Sequence, residues 1–275
     1  MNKLYRGLAR PYQIWLIILV FIPLLAMVLI SISNYNASLS LSEVQITFAD
    51  WDLLFQHQTL VAFKNSLVYA SLTTIISFVL GYFVAYQIKQ SRIKNKFIIL
   101  TIIILPMWSN LILRTEGLLN IMEENNILKS IIGFSLLGNI AGTPFAVLFG
   151  LVFTYMPFMI LPIYTALEKI DISLEEASQD LGVTPFKTFW KVIFPLSLKG
   201  VVTGSIMVFL PTMAGFAIPK ILSKGNIVLI GNIIDQKFLY TTFNDGSLLA
   251  VVILIVILGS LLIITRFDKE GETLL

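Results

Sequence analysis

Side chains able to do acid–base, nucleophilic or metal chemistry are scarce in this sequence and sit outside its apolar stretches. There is one histidine, His57, and no cysteine, which excludes disulfides, thiolate metal sites and histidine clusters. No carboxylate falls within a charge-free stretch, so an intramembrane enzyme would have no nucleophile–base pair or metal set to work with. No catalytic residue and no metal site is expected. The spacing that carries information is mechanical and lies between Glu168 and Lys199.

That segment reads EKIDISLEEASQDLGVTPFKTFWKVIFPLSLK. Ser173 followed three residues later by Glu176 has the form of a capping box, which predicts a helix starting there with Leu174, Ala177 and Leu181 on one face. Gly182 follows the last periodic residue, where a left-handed backbone ends a helix. Thr184-Pro185 then restarts one, with threonine as cap and proline in the first turn. The second helix carries Phe186, Phe189, Trp190 and Ile193 and is expected to stop before Pro195. Two short amphipathic helices on a glycine turn have two physical readings: an elbow whose aromatics anchor among lipid headgroups, or a surface offered to a partner. Glu176 likewise either completes the cap or faces that partner, and the two roles are compatible.

The elements that position this loop are apolar spans. The chain is 57% hydrophobic and 13% charged, against about 25% charged in soluble domains, and its charges fall between runs long enough to cross about 30 Å of hydrocarbon. These runs predict six transmembrane helices at about 12–33, 66–88, 97–113, 144–167, 200–219 and 246–265. The expected fold class is all-α, a polytopic membrane protein with one transmembrane domain over 1–275 and the 168–199 loop within it. The first run follows Lys3, Arg6 and Arg10, as in a secretory signal, but its 22 residues exceed the roughly 7 to 15 of a signal's apolar region; it is read as a retained helix. Gly138 to Pro144 is turn material, which leaves Ser130 to Leu137 as a short outer or re-entrant helix. Pro23, Pro106, Pro157, Pro162 and Pro211 lie inside spans, where freed carbonyls need a neighbour or a water-lined cavity. Thirteen of the 19 lysines and arginines fall on the N-terminus, the 89–96 connection, the 168–199 loop and the tail, which places both termini in the cytoplasm by the positive-inside rule. The net charge of +3 is accounted for by that topology and implies no nucleic-acid partner.

Glu176-Ala177-Ser178, three residues, Gly182, nine residues, then Val192-Ile193-Phe194-Pro195 resembles the "EAA" loop of bacterial ABC importer permeases, patterned E-A-A-x3-G-x9-I-x-L-P. Ser178 stands for the second alanine, Val192 for the isoleucine and Phe194 for the leucine. The resemblance implies a type I ABC importer permease in the bacterial plasma (inner) membrane. It implies that the loop docks on an ATPase subunit and passes its closure to the spans, with Glu176, Ala177, Ser178, Gly182 and Pro195 as ATPase-coupling residues. The partners it implies are a second permease subunit in a heterodimer, two ATPase subunits that use ATP and Mg, an extracytoplasmic substrate-binding protein and membrane lipid, with no cofactor on this chain. The sequence contains no G-x-x-x-x-G-K-[ST] phosphate loop, so the ATPase is expected to be a separate polypeptide.

A broader resemblance, over about Asn65 to Phe238, is to permeases of spermidine/putrescine importers. It rests on Leu105-Pro106-Met107-Trp108-Ser109-Asn110, the run GLVFTYMPFMILPIYTALEKID, Phe209-Leu210-Pro211 and LIGNIIDQKF from Leu229. A path for polyamines should offer aromatic faces or carbonyls freed at kinks. The resemblance makes Trp108 and Phe216 translocation-path residues, while packing or interfacial anchoring is the alternative for both. Lys220, where such permeases carry an acidic residue, would repel a polycation unless it points away or specificity is altered. Glu116, Asp235 and Asp245, on the expected outer side, either attract amines or are solvated loop charges. Alternative readings are a permease for ferric iron, sulfate or an amino-phosphonate, and a secondary carrier, which would need intramembrane charges or inverted repeats.

Overall fold

The computed structural model describes residues 3–35, 44–124, 130–131 and 139–266. In chain order the helices are α1 (Lys3–Ser31), α2 (His57–Gln90), α3 (Lys96–Ile104), α4 (Leu111–Met122), α5 (Pro144–Glu168), α6 (Ile172–Asp180), α7 (Pro185–Ala214), α8 (Ala217–Leu222), α9 (Ile230–Leu239) and α10 (Phe243–Arg266). The β-type pairing among the described residues is an isolated antiparallel bridge between Ser33 and Ile46. Among the described residues five helices are long and apolar enough to cross a membrane, and the bent pair α3–α4 brings the number to six if it is one span. Helices are what a bilayer permits, because each backbone amide finds its acceptor within its own segment.

Two spans differ in form from the sequence expectation. The third is broken: α3 runs into a 3₁₀ turn, Leu105–Trp108, and then bends by 95° into α4. Pro106 removes an amide there, and the Asn110 side chain starts the next helix by accepting from the Ile112 and Leu113 amides at 2.9 and 3.3 Å. The fifth ends at Ala214, not at 219, because Gly215 is extended (φ −68°, ψ 146°) and α8 is a separate short helix. Residues 132–137 of the expected short outer helix lie outside the described residues.

Contacts divide the chain into two compact units, residues 1–61 with 233–257 and residues 62–232 with 258–275. In the first, α1 exposes apolar side chains all round, among them Trp15, Phe21 and Leu25, as a helix bathed in lipid does. Its polar end is knitted together by Asn244, which donates its side-chain amide to Asp50 at 2.7 Å and its backbone amide to the Tyr35 carbonyl at 3.3 Å. Asp245 is paired with Lys237 at 2.7 Å, so this carboxylate has an internal partner.

The second unit is organised around α5, whose Leu151, Met159, Ile160, Ile163 and Leu167 are fully buried. Helix α7 packs on it through Gly200 and Gly204, a G-x-x-x-G pair that lets two backbones approach. A Cβ on Gly200 would stand 2.5 Å from the Pro162 carbonyl oxygen, and one on Gly204 would stand 2.7 Å from the Met159 sulfur. Gly81 of α2 meets Met159 in the same way, at 3.0 Å. With no hydrophobic force between helices in lipid, this close fit and its dispersion energy hold α2, α5 and α7 together. Overpacking of this kind costs about 1–3 kcal/mol, so Gly200→Leu is expected to lower the melting temperature of the detergent-solubilised protein. Gly117→Ala, whose Cβ meets nothing within 4 Å, should not. Equal melting temperatures for Gly200→Leu and the parent protein would contradict the α5–α7 contact.

Candidate functional site

The 168–199 segment forms two helices joined by a tight turn, with one change at its start. Ser173 is not the cap. Helix α6 begins at Ile172, and the Asp171 carboxylate accepts from the Ser173 amide at 2.9 Å. Asp171 has the extended backbone of a cap (φ −63°, ψ 132°), and a charged acceptor is the stronger partner for a helix N-terminus. The hydrogen bonds from Ser173 hold the Asp171 carboxyl below its ordinary value, so it stays ionised at neutral pH. Glu176 is thereby released from capping and stands exposed beside exposed Ala177.

At the far end Gly182 takes φ +74°. Its amide donates to the Gln179 carbonyl at 2.8 Å and the Val183 amide to the Ser178 carbonyl at 3.2 Å, the paired bonds that close a helix on a left-handed residue. Nothing lies within 4 Å of a Cβ there, so glycine is required by the backbone and not by crowding. Thr184 occupies the next cap position with Pro185 in the first turn, although its hydroxyl makes no capping bond. Ser178, where the family pattern has alanine, exchanges a hydrogen bond with the buried Thr188 hydroxyl at 2.9 Å. It fastens the two helices to each other.

Pro195 does not end the second helix. Helix α7 runs from Pro185 to Ala214, through a π-helical stretch at Phe189–Ile193 and on into the fifth span. The Phe194 amide reaches back to the Phe189 carbonyl, a wider turn that passes the proline without breaking the rod. The exposed end of the loop and the fifth span are therefore one continuous element. Two aromatics at the ends of the π stretch pack on α2: Phe189 lies edge-on to Tyr82 and Tyr86 at 5.7 and 5.2 Å, and Phe194, just past it, lies 5.6 Å from Tyr82. The Tyr82 hydroxyl also bonds to Ser197 at 2.7 Å. Phe186 and Trp190 remain 73% and 51% exposed, which divides the aromatics into a packed set and an outward set.

The second candidate region lies at the two helix breaks. A cavity of about 410 Å³ is lined by Asn110, Leu151, Tyr155, Pro211, Phe216 and Pro219, among others. The Gly215–Phe216 break is covered by the first turn of α9 and the residues just before it. The Asn232 side-chain amide donates to the Phe216 carbonyl at 2.8 Å, and a Cβ on Gly231 would stand 2.6 Å from the Ala214 carbonyl oxygen. That segment is pinned in turn to α2: the Ile230 amide donates to the Ser66 hydroxyl at 2.9 Å and the Asn65 side chain to the Val228 carbonyl at 3.2 Å. Of the three residues expected on the path, Phe216 lines this cavity. Trp108, 89% exposed, and Lys220, also exposed, do not line it.

Sequence reasoning passed over Asp171, Thr188, Tyr82, the G-x-x-x-G pair and Asn232. Of these, the aspartate two residues before a helical serine and the Gly200–Gly204 spacing were available as signals. The tertiary partners of Thr188, Tyr82 and Asn232 lie 10, 115 and 16 residues away in the chain, beyond any local pattern.

An all-helical chain with six candidate spans, a broken third span and a helix-turn-helix elbow running into the fifth has the architecture of an ABC importer permease. A solved bacterial alginate ABC transporter, in complex with an alginate pentasaccharide-bound periplasmic protein, matches it with a TM-score of 0.76 at 16% identity, over 97% of this chain and 94% of that one. The chain belongs to the binding-protein-dependent transport system inner membrane component family, whose model matches residues 4–267. It is similar to the spermidine/putrescine transport system permease protein PotB of Haemophilus influenzae, 34% identical over 92% of this chain and 89% of that protein. It is also similar to PotB of Escherichia coli K12, 31% identical over 82% and 83% of the two chains.

The Ser178–Thr188 bond is testable by a double-mutant cycle. Ser178→Ala should lower thermal stability by about 1 kcal/mol by leaving a buried hydroxyl without its partner, and adding Thr188→Val should recover most of the loss. Additive losses in the double variant would show that the two hydroxyls do not act on each other.

Proposed function

We propose that this permease subunit imports polyamines of the spermidine/putrescine class, forming half of the translocation path and taking its energy from separate ATPase subunits through the 168–199 loop. ATP and Mg are bound by those ATPases. A second permease subunit completes the path in a heterodimer, and an extracytoplasmic binding protein delivers the solute. Both termini and the loop lie in the cytoplasm of a bacterial cell, on the side where thirteen of the 19 lysines and arginines fall.

One observation carries the substrate reading. Stretches far apart in sequence that resemble spermidine/putrescine permeases meet around one cavity: Asn110 ends the first, Leu151 and Tyr155 belong to the second, Pro211 ends the third, and Gly231 and Asn232 of the fourth close the break at Phe216. What the cavity offers suits an organic cation. It has the rings of Phe216 and Tyr155 and the irregular backbone at Gly215, and Lys220 is not among its lining residues. The relatives at 34% and 31% identity support the same substrate class.

For coupling, Glu176 and Ala177 present an exposed face to the ATPase. Gly182 and Ser178 keep the elbow in one shape, and Pro195 sits where the elbow becomes the fifth span. ATP-driven closure of the ATPases pushes on α6 and the start of α7, turns the helix bundles against each other and opens the cavity outward.

Uptake of labelled spermidine and putrescine, measured in cells lacking their own polyamine importer and supplied with this chain and its operon partners, tests the proposal. Uptake that requires the ATPase is expected. A complex that assembles and hydrolyses ATP but admits neither amine would overturn the polyamine reading. Gly182→Leu, forced into a left-handed backbone, should abolish uptake while the protein remains in the membrane; full uptake would contradict the coupling role.

A further inference from the structure

Helix α6 has nine residues and none of them is buried. Apolar burial therefore does not hold it against the membrane domain, yet a lever that transmits force has to be fastened at both ends. Its fastenings are polar. One is the Ser178–Thr188 bond to the start of α7. The other is an ion pair between Glu175 and Lys89, the last lysine of α2, whose side chains are 15% and 12% exposed. The Lys224–Glu123 pair, at 50% and 38% exposed, is open to solvent and worth little. The Glu175 pair is largely shielded from water and salt, so its attraction is screened far less. Lys89 also stands on a braced helix end: its carbonyl accepts from the Lys96 ammonium at the start of α3, and the Ser91 hydroxyl donates to the Ile88 carbonyl at 2.8 Å.

We infer that the Lys89–Glu175 ion pair is a latch that makes α6 move as one body with the cytoplasmic end of α2, so that Glu175, beside the coupling glutamate Glu176, is a positioning residue of the transport cycle. This rests on the coupling role proposed for the 168–199 loop. The geometry gives the latch a definite job. Motion of α6 enters the fifth span through Thr188 and the continuous α7, and enters the second span through Lys89. The two routes meet again where Tyr82 of α2 bonds Ser197 of α7. With the latch closed, α2 and α7 receive the same displacement; with it open, the Lys89 end of α2 is driven only indirectly, through its packing on α7, and ATP is spent with less solute moved.

The test is the ratio of solute uptake to ATP hydrolysis in proteoliposomes holding the whole complex with its binding protein. Lys89→Glu and Glu175→Lys singly are expected to lower that ratio about tenfold, in the range of ordinary coupling energies, while the complex assembles and still hydrolyses ATP. The double exchange, Lys89→Glu with Glu175→Lys, is expected to restore the ratio to within about twofold of the parent. A purely structural role would change the amount of complex and leave the ratio alone. Unchanged ratios in the single variants, or a double exchange that fails to restore the ratio, overturn the latch. If a reversed charge prevents assembly, Glu175→Gln, which keeps the shape and removes the charge, decides: a lowered ratio supports the latch and a parental ratio overturns it. Gly182→Leu measured alongside separates the two claims, because a parental ratio there removes the coupling role itself, whereas an altered ratio there with parental Glu175 variants removes only the latch.

Discussion

The bilayer offers a backbone amide or carbonyl nothing to bond, and that single constraint organises this molecule. It makes every span a helix, and it also decides how a span is allowed to stop. At Ser109–Asn110 the amides of the next helix are taken up by the Asn110 side chain, and Arg114 donates to the Pro106 carbonyl at 2.6 Å. At Gly215–Phe216 the Phe216 carbonyl accepts the Lys220 amide of the next helix at 3.1 Å and also the side chain of Asn232, sixteen residues further on. Polar side chains within the membrane domain are thus used first to repair backbone. The cavity between the two repaired breaks follows from the same requirement, since irregular backbone at this depth is tolerated where protein or a cavity covers it.

Close packing then carries displacement between helices. Gly200 and Gly204 bring α5 and α7 within backbone reach and Gly81 seats α2 on the Met159 side chain, and interfaces that tight shift as units instead of deforming gradually. The 168–199 elbow joins this assembly without a core of its own. It is shaped by a charged cap at Asp171 and by a left-handed glycine, fastened by Ser178 and Glu175, and continued into the fifth span by a π turn. An importer permease needs this combination: a stiff elbow outside the membrane, and a path inside it where helices have already given way.

The apolar spans were legible because charge is excluded from hydrocarbon, so their existence follows from composition along the chain. How they break was not. Pro106 and Pro211 each stand a few residues before a break, at Ser109–Asn110 and at Gly215, whereas Pro157 and Pro162 look alike in sequence and stay inside α5; what differs is that a side chain, Asn110 or Asn232, is placed at each break to bond its backbone. In the loop the glycine turn was legible because Gly182 serves a backbone need. The cap was displaced to Asp171 because a carboxylate two residues ahead outcompetes a serine hydroxyl. The stop expected at Pro195 fails because a π turn widens the ladder just before it, a device with no local sequence mark. Ser178 reads as a mild departure from the family pattern, and only its tertiary partner Thr188 shows that it does something an alanine does not.

If the Lys89–Glu175 pair latches α6 to α2, the elbow and the Lys89 end of α2 form one rigid body through the transport cycle. Because the chain has no cysteine, spin labels can be placed at the exposed Lys94 and Gln179 and their separation measured in the assembled importer, without nucleotide and with ATP bound. A rigid unit predicts the same narrow distance distribution in both states. A shift approaching one helical turn, about 5.4 Å, would show that α6 slides past the second span and would contradict the claim.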